Sequence, residues 1–232
     1  MTHSKVIESK IMNLPMNEIF FASEKYKLFG EGVTELNYYK VLERMYKKNK
    51  IAKVSKGIYY IPKKSKFGNV QISESEIINS IIKEKYEGIE IGYGLYNSLG
   101  LTTQISKRRN FYCNSIYNTN KRIKSNFFEY LNIEFNENNI CIIQTLEILQ
   151  NYSKIENLNN AAFIRHINIL KHCYNDSETN KVLKQIKYKK STIAFLQELL
   201  EHLKIQNTLE KYLSKLSKYN IPNWKENYEI TY

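Results

Sequence analysis

Aspartate is almost missing from this sequence. The chain has one, Asp176, among 232 residues, and its twenty-two glutamates are scattered along stretches of helical pattern. Metal-dependent nucleases and nucleotidyl transferases hold their ions on clustered carboxylates, usually including aspartate, and no such cluster is visible. A Walker-type glycine loop and an H-E-x-x-H zinc motif are missing as well. His166, His172 and Cys173 lie close together in a helical stretch. Histidines six apart project from different helical faces, so packing is expected in preference to a shared zinc ion. A cysteine–histidine nucleophile pair stays open, with no positive support. No enzyme, no metal and no cofactor is expected. The three cysteines, Cys113, Cys141 and Cys173, are far apart and without C-x-x-C spacing, which predicts reduced thiols in a cytoplasmic protein. No apolar run approaches the length of a bilayer span, and "MTHSKVIESK" lacks the pattern of a signal peptide, so no membrane contact is expected.

What the chain has in quantity is positive charge, unevenly placed. The formal net charge is +12, which suggests a polyanionic partner. Residues 40–66 hold ten lysines or arginines against one acid, Glu43, and residues 103–126 hold six basic residues against none. From residue 127 onward thirteen basic residues meet twelve acidic ones, so the C-terminal part is close to neutral. A hydrophobic content of 42% with 13% aromatics is a globular composition and excludes general disorder.

The apolar pattern predicts an α+β fold. "SKVIESKIMNL" is a helical stripe stopped by Pro15, and a second short helix is expected to start near Ser23 and close at Gly30. "GVTELNYYKVLERMYKKN" follows, with Thr34 as N-cap. Tyr38, Val41, Leu42 and Met45 fall on one face; Asn37, Lys40, Arg44 and Lys47 fall on another. Next comes "KVSKGIYYIP". A loop of Ser55, Lys56 and Gly57 would pair Val54 with Ile58 and Ala52 with Tyr60. Lys53 and Tyr59 would then sit opposite each other on the outer face, with Lys56 at the tip. Helix, helix, turn, basic amphipathic helix and lysine-bearing hairpin is the order of a winged helix-turn-helix. An edge hairpin carrying solubilising lysines is the competing reading.

Beyond it, the boundary is placed in 63–69, giving a DNA-binding domain over 1–66 and a second domain over 67–232, mixed α/β over 67–138 and helical over 139–232. "SESE" is a capping box. "GIEIGYGLYNSLGL" reads as strand, glycine turn and brief helix; "NFYCNSIY" and "FFEYLNIEF" read as strands. "IIQTLEILQNY", "AAFIRHINILKHCY", "TIAFLQELLEHL" and "LEKYLSKLSKY" read as helices, and "NDSET" as a loop. A softer boundary is placed in 136–139. The second basic segment, with Lys107, Arg108, Arg109, Lys121, Arg122 and Lys124, interleaves cations with Phe111, Tyr112 and Tyr117. Such a mixture can bind phosphates and stack bases, be a basic loop beside core aromatics, or meet an acidic protein.

"KNKIAKVSKGIYYIPK", preceded by "LERMYKKN", resembles the N-terminal winged helix of AbiEi-type antitoxins from type IV (abortive infection) toxin–antitoxin systems of phage defence. "IGYGLYNSLGLTTQ" is similar to a glycine, leucine and glutamine pattern that follows the winged helix in one branch of that family. Together they cover residues 5–125. The resemblance implies a cytoplasmic bacterial transcriptional regulator whose winged helix binds double-stranded operator DNA and represses its own operon. The rest of the chain would counteract a cognate AbiEii-like nucleotidyltransferase toxin, with or without a direct complex. Carried onto matching positions, the DNA-facing residues are Asn37, Lys40 and Arg44 on the recognition helix and Lys53, Lys56 and Tyr59 on the wing, with Thr34, Ser55 and Lys63 beside them. Gly100, Leu101 and Gln104 match the second pattern, and a structural role is expected for them. A nucleic-acid-modifying enzyme with a winged-helix substrate module and a stand-alone regulator are the alternatives.

Overall fold

The computed structural model describes residues 3–84, 86–116 and 120–225. Its chain divides into two compact units, Met1–Lys83 with Arg122–Lys124, and Glu84–Lys121 with Ser125–Tyr232. The fold is mixed α+β with several small sheets. Among the described residues no helix is long and apolar enough to cross a membrane.

In the first unit, helix α1 (His3–Met12) buries Ile7 and Ile11 and stops before Pro15, whose ring would clash with a continuing helix. Residues expected to lead into a helix instead form strand β1 (Ile19–Phe21), buried along its whole length. Three bulky apolar residues in a row suit a covered strand better than one face of a helix. Helix α2 (Ala22–Tyr26) and a 310 turn (Lys27–Gly32) follow, so the second helix runs on to Gly32 in tightened form. Helix α3 (Glu35–Lys47) starts where expected: the Thr34 hydroxyl accepts the Asn37 N–H at 3.4 Å. Its buried residues are Tyr38, Val41, Leu42 and Met45, the apolar stripe seen in the sequence. They join Ile7, Ile11, Phe20, Ala22, Val33, Ile51 and Ile61 in one core.

Strands β2 (Ala52–Ser55) and β3 (Ile58–Tyr60) form the expected hairpin, and β1 adds to its other edge in the order β1-β3-β2. Ala52 opposes Tyr60 and Lys53 opposes Tyr59, but Ser55, not Val54, opposes Ile58. A register shift between Lys53 and Ser55 causes the correction: the extra residue is a bulge, which strengthens local twist. Gly57, at φ 75°, supplies the left-handed turn.

A second, shorter hairpin follows, of β4 (Lys64–Ser65) and β5 (Gly68–Asn69). Then comes helix α4 (Glu74–Ile81), opened by the Ser73 and Glu76 capping box. The boundary expected at 66 is therefore displaced. Helix α4 belongs to the first unit because the Asn17 side-chain amide donates to Glu76 at 3.0 Å and the Ile19 N–H donates to the Ser80 hydroxyl at 3.2 Å. Hydrogen bonds from the Ser73 N–H, the Asn17 amide and the Ser73 hydroxyl, with Lys63 nearby, lower the Glu76 pKa to about 2. A depressed carboxyl contributes stability that is complete above its ordinary value of 4.5 and is lost as pH falls through the folded value. Glu76→Gln is expected to flatten the acid limb of the stability curve in urea denaturation between about pH 5 and about pH 2. Superimposable limbs would contradict the role given to this carboxylate.

The second unit is built from strands β6 (Gly88–Ile91), β7 (Arg109–Cys113) and β9 (Asn126–Tyr130), with β7 antiparallel to β6 and parallel to β9. Helix α5 (Tyr93–Ser98) follows Gly92, whose φ of 68° makes the turn, and Gly100, at φ 71°, turns the chain just beyond its end. The basic "KRI" is a strand, β8 (Lys121–Ile123), joined to β9 by a tight turn with Lys124 at φ 54°. Helix α6 (Glu137–Asn151) is buried on nearly all sides, with α7 (Asn160–Cys173), α8 (Asp176–Gln185) and α9 (Lys190–His202) around it. One core runs from Ile89 and Tyr112 of the sheet to Leu199 and Trp224, so sheet and helices fold as one body.

Three further corrections concern this unit. The boundary expected in 136–139 is the capping box of α6, in which Asn136 and Asn139 bond reciprocally. "NDSET" opens α8, with the Asn175 side chain capping the Glu178 N–H at 3.0 Å. The expected last helix is a short 310 turn (Leu209–Tyr212). In addition, Cys141 and Cys173 are joined in a disulfide, leaving Cys113 as a buried free thiol. The pairing of α6 with α7 brings together cysteines 32 positions apart in sequence, so the expectation of three reduced thiols is not met.

Inside the unit lies a carboxyl group far from water. Glu147 of α6 is 6% exposed and accepts from the Tyr188 hydroxyl at 2.9 Å and the Tyr112 hydroxyl at 3.3 Å. The Tyr96 hydroxyl donates to its backbone carbonyl at 3.1 Å. Burial raises the Glu147 pKa against the opposing pull of the two tyrosine hydrogen bonds.

Candidate nucleic-acid interface

Helix α3 has two unlike edges on either side of its exposed face. On the edge toward α1, the Arg44 guanidinium donates from Nη2 to the Ser4 hydroxyl at 3.1 Å and from Nε to the Lys40 carbonyl at 3.4 Å. Lys50 ion-pairs with Glu8 of α1 nearby. That hydrogen bond lowers the Glu8 pKa against the effect of burial, with Lys48 and Arg44 adding to it. Arg44 is exposed but directed to α1.

The opposite edge carries Tyr39, Glu43 and Tyr46, spaced i, i+4 and i+7 and so aligned along the helix. Tyr59 of the hairpin lies beside them: burial raises its hydroxyl pKa first, and Tyr39, Glu43 and Tyr46 raise it further. Its ring packs 6.0 Å from that of Phe20. Because Lys53 opposes Tyr59 across the hairpin, the two share a face. Lys53 and Lys56 are exposed, Ser55 is half-buried, and Lys40 and Lys47 stand out from α3 between its two edges. Lys47 holds Glu43 in an exposed ion pair at 2.7 Å. The arrangement is a helix face and a hairpin face meeting along a tyrosine seam, with lysines outside it.

Among the residues assigned to this surface by sequence, the structure brings Lys40, Lys53, Lys56 and Tyr59 onto it. Thr34 caps the helix, and Asn37 is half-buried with its N–H taken by that cap. Lys63 is elsewhere. It lines an open groove of about 340 Å³ with Asn17, Glu18, Glu76, Ser80 and Lys83, and its backbone N–H donates to the Asn17 side-chain oxygen Oδ1 at 3.0 Å. Tyr39, Glu43 and Tyr46 add a candidate functional edge that the charge pattern does not point to, although their helical spacing is legible in the sequence.

In the second basic segment two of the cations are tied to neighbouring groups. Arg109 makes a two-pronged salt bridge to Glu90, at 2.7 Å from Nε and 2.6 Å from Nη2, and lies over the Phe111 ring. Lys124 donates to the Ile72 carbonyl at 2.9 Å. Lys107, Arg108 and Arg122 are exposed, and Lys121 is half-buried. Phe111 and Tyr112 are core residues, and Phe111 stacks on Phe128 at 5.0 Å, so neither offers a free ring to a base. Tyr117 lies outside the described residues. Of the second family-like pattern, Gly100 makes a turn, Leu101 is fully buried and Gln104 is exposed.

His166 is buried, its Nε2 bonded to the Thr145 hydroxyl at 3.0 Å, and burial lowers its pKa to about 4. It is therefore a neutral packing residue. No group of three or more His, Cys, Asp or Glu side chains able to hold a metal ion occurs among the described residues.

No curated protein matches this sequence. Among solved structures, the chain is similar to the crystal structure of the RV2827C protein from Mycobacterium tuberculosis. The two are 10% identical, with a TM-score of 0.40 over 85% of this chain and 75% of that one. The profile of a family of unknown function, DUF6088, matches residues 6–124. The match spans more than half of the 232 residues, and the chain belongs to DUF6088.

Proposed function

We propose that this chain is a cytoplasmic DNA-binding repressor and antitoxin, whose first unit is a winged helix that binds operator DNA. The observation that carries the DNA-binding half is the seam itself. Lys40 of α3 and Lys53 and Lys56 of the hairpin stand exposed around Tyr39, Tyr46 and Tyr59. On this reading α3 enters the major groove and the hairpin lysines meet the flanking phosphates. Arg44, bonded to Ser4, lies on the edge away from the hairpin and is a phosphate contact in preference to a base contact. The antitoxin half is supported by the resemblance of residues 5–125 to AbiEi-type antitoxins, and its partner on that reading is a nucleotidyltransferase toxin.

Fluorescence anisotropy with a labelled duplex from immediately upstream of the chain's own gene tests the first half. Binding is expected to exceed that to a random duplex and to fall steeply with salt, log K dropping by about 0.9 per log unit of salt for each phosphate neutralised. Salt-independent binding, or equal affinity for both duplexes, would refute an operator-binding role.

A further inference from the structure

The short hairpin after the proposed wing carries a side chain with no place in the core. Phe67 is 100% exposed. Burying a phenylalanine ring ordinarily stabilises a fold, so a ring held wholly in water on an ordered tip is unusual. The tip is ordered by hydrogen bonds and not by packing. Ser65 pairs with Gly68 and Lys64 with Asn69. The Ser65 hydroxyl donates to the Gly68 carbonyl at 3.0 Å and accepts the Phe67 N–H at 3.2 Å. Gly68, at φ 108°, allows the sharp return. At the base, the Val70 N–H donates to the Lys63 carbonyl at 2.8 Å, and the Asn69 side-chain amide reaches the Asn49 carbonyl at 3.4 Å. That second bond ties the hairpin to the turn just after α3.

The charge around the ring is of one sign. Lys64 and Lys66 stand just before it in the chain, both exposed, and no acid occurs anywhere in residues 44–73. An apolar wedge beside cations on an ordered tip matches the chemistry of DNA-bending proteins. In these, a Phe, Leu, Ile or Met side chain enters a base step from the minor groove while lysines and arginines hold the phosphates on either side. We propose that the 64–69 hairpin is a second DNA-contacting element, with Phe67 inserted into a base step and Lys64 and Lys66 on the adjoining phosphates. This rests on the first unit being a DNA-binding domain. It adds to that reading a bend in the bound duplex and a preference for steps that unstack cheaply, such as TA.

The full-length chain is tested with the same upstream duplex and a random duplex. The Phe67→Trp variant serves as reporter, because the native Trp224 is buried at 1% exposure. Adding the upstream duplex is expected to quench the reporter and shield it from iodide, with wild-type emission unchanged. Phe67→Ala, which removes no packing, is expected to bind about tenfold more weakly and to lose the bend seen by end-to-end energy transfer. Its salt dependence should match wild type, because the lysines remain. If wild type binds duplex while the reporter stays open to iodide, or if Phe67→Ala keeps affinity and bend, the wedge is overturned and DNA binding stands. If wild type binds neither duplex, both are overturned. If the reporter responds to phosphatidylglycerol vesicles but not to duplex, the tip is a membrane contact and the proposal is wrong.

Discussion

Glu147→Ala is expected to destabilise the second unit by about 4 kcal/mol, among the largest effects of any single replacement in the chain. The side chain sits in the middle of α6, in a helix buried on nearly all sides. Its removal leaves two buried tyrosine hydroxyls, those of Tyr112 and Tyr188, without their acceptor, and each unmet group costs about 1–3 kcal/mol. It also opens a cavity in a packed interior, which adds to the cost because neighbours relax only partly. Glu147→Gln separates hydrogen bonding from charge, since the amide oxygen still accepts from both tyrosines. The sign of the pH effect follows from linkage. Burial raises the folded pKa of Glu147 above the ordinary 4.5, so the native state binds more protons than the unfolded state in the window above that value. Wild-type stability therefore falls as pH rises from about 4.5 through the raised pKa. The glutamine variant should lack this slope and overtake wild type on the alkaline side. Urea denaturation of both variants from about pH 4.5 to about pH 8 checks the argument. Parallel stability curves for Gln and wild type, or an alanine cost no larger than that of an exposed site, would show that the carboxyl is not held as described.

That carboxyl was not readable in the sequence, and the reason is physical. Glu147 sits among Leu146, Ile148 and Leu149, and nothing local says that Tyr112 and Tyr188 arrive from 35 and 41 positions away. Local rules served where local forces decide. The cap of α3 by Thr34, its apolar stripe and the Ser73 capping box all followed from spacing within a few residues. The hairpin at Gly57 was also visible, but its bulge was not, because Val54 and Ser55 satisfy an alternating pattern almost equally well. The misplaced boundary has the same origin. A lysine-rich stretch suggested a linker, yet it holds a hydrogen-bonded hairpin, and Asn17 and Ser80 tie α4 back across about sixty residues. On the candidate surface, the lysines were legible as charge, whereas the direction of Arg44 depended on Ser4 of another helix.

Replacing Lys40, Lys53 and Lys56 together with alanine is expected to abolish repression while leaving protection from the toxin intact. All three side chains are exposed and belong to the first unit, so little stability is at stake; such surface changes fall within about 0.5 kcal/mol each. Loss of the two phosphate contacts of Lys53 and Lys56 should make the salt dependence of DNA binding shallower by about 1.8 log units per log unit of salt. At cellular ionic strength that leaves operator DNA unbound. The second unit has a separate core running from Ile89 to Trp224, and from residue 127 onward its charge nearly cancels. A neutral, well-packed body is poorly suited to phosphate and better suited to meeting a protein. Full-length variants are the right test, because a truncation at residue 68 would separate α4 from Asn17 and Ile19, its hydrogen-bonding partners in the first unit. Growth under controlled toxin expression, beside a promoter reporter in the same strains and at matched protein level, reads both jobs at once. A triple variant that fails to protect would place antitoxicity on the DNA-binding surface, and one that still represses would remove that surface from the operator.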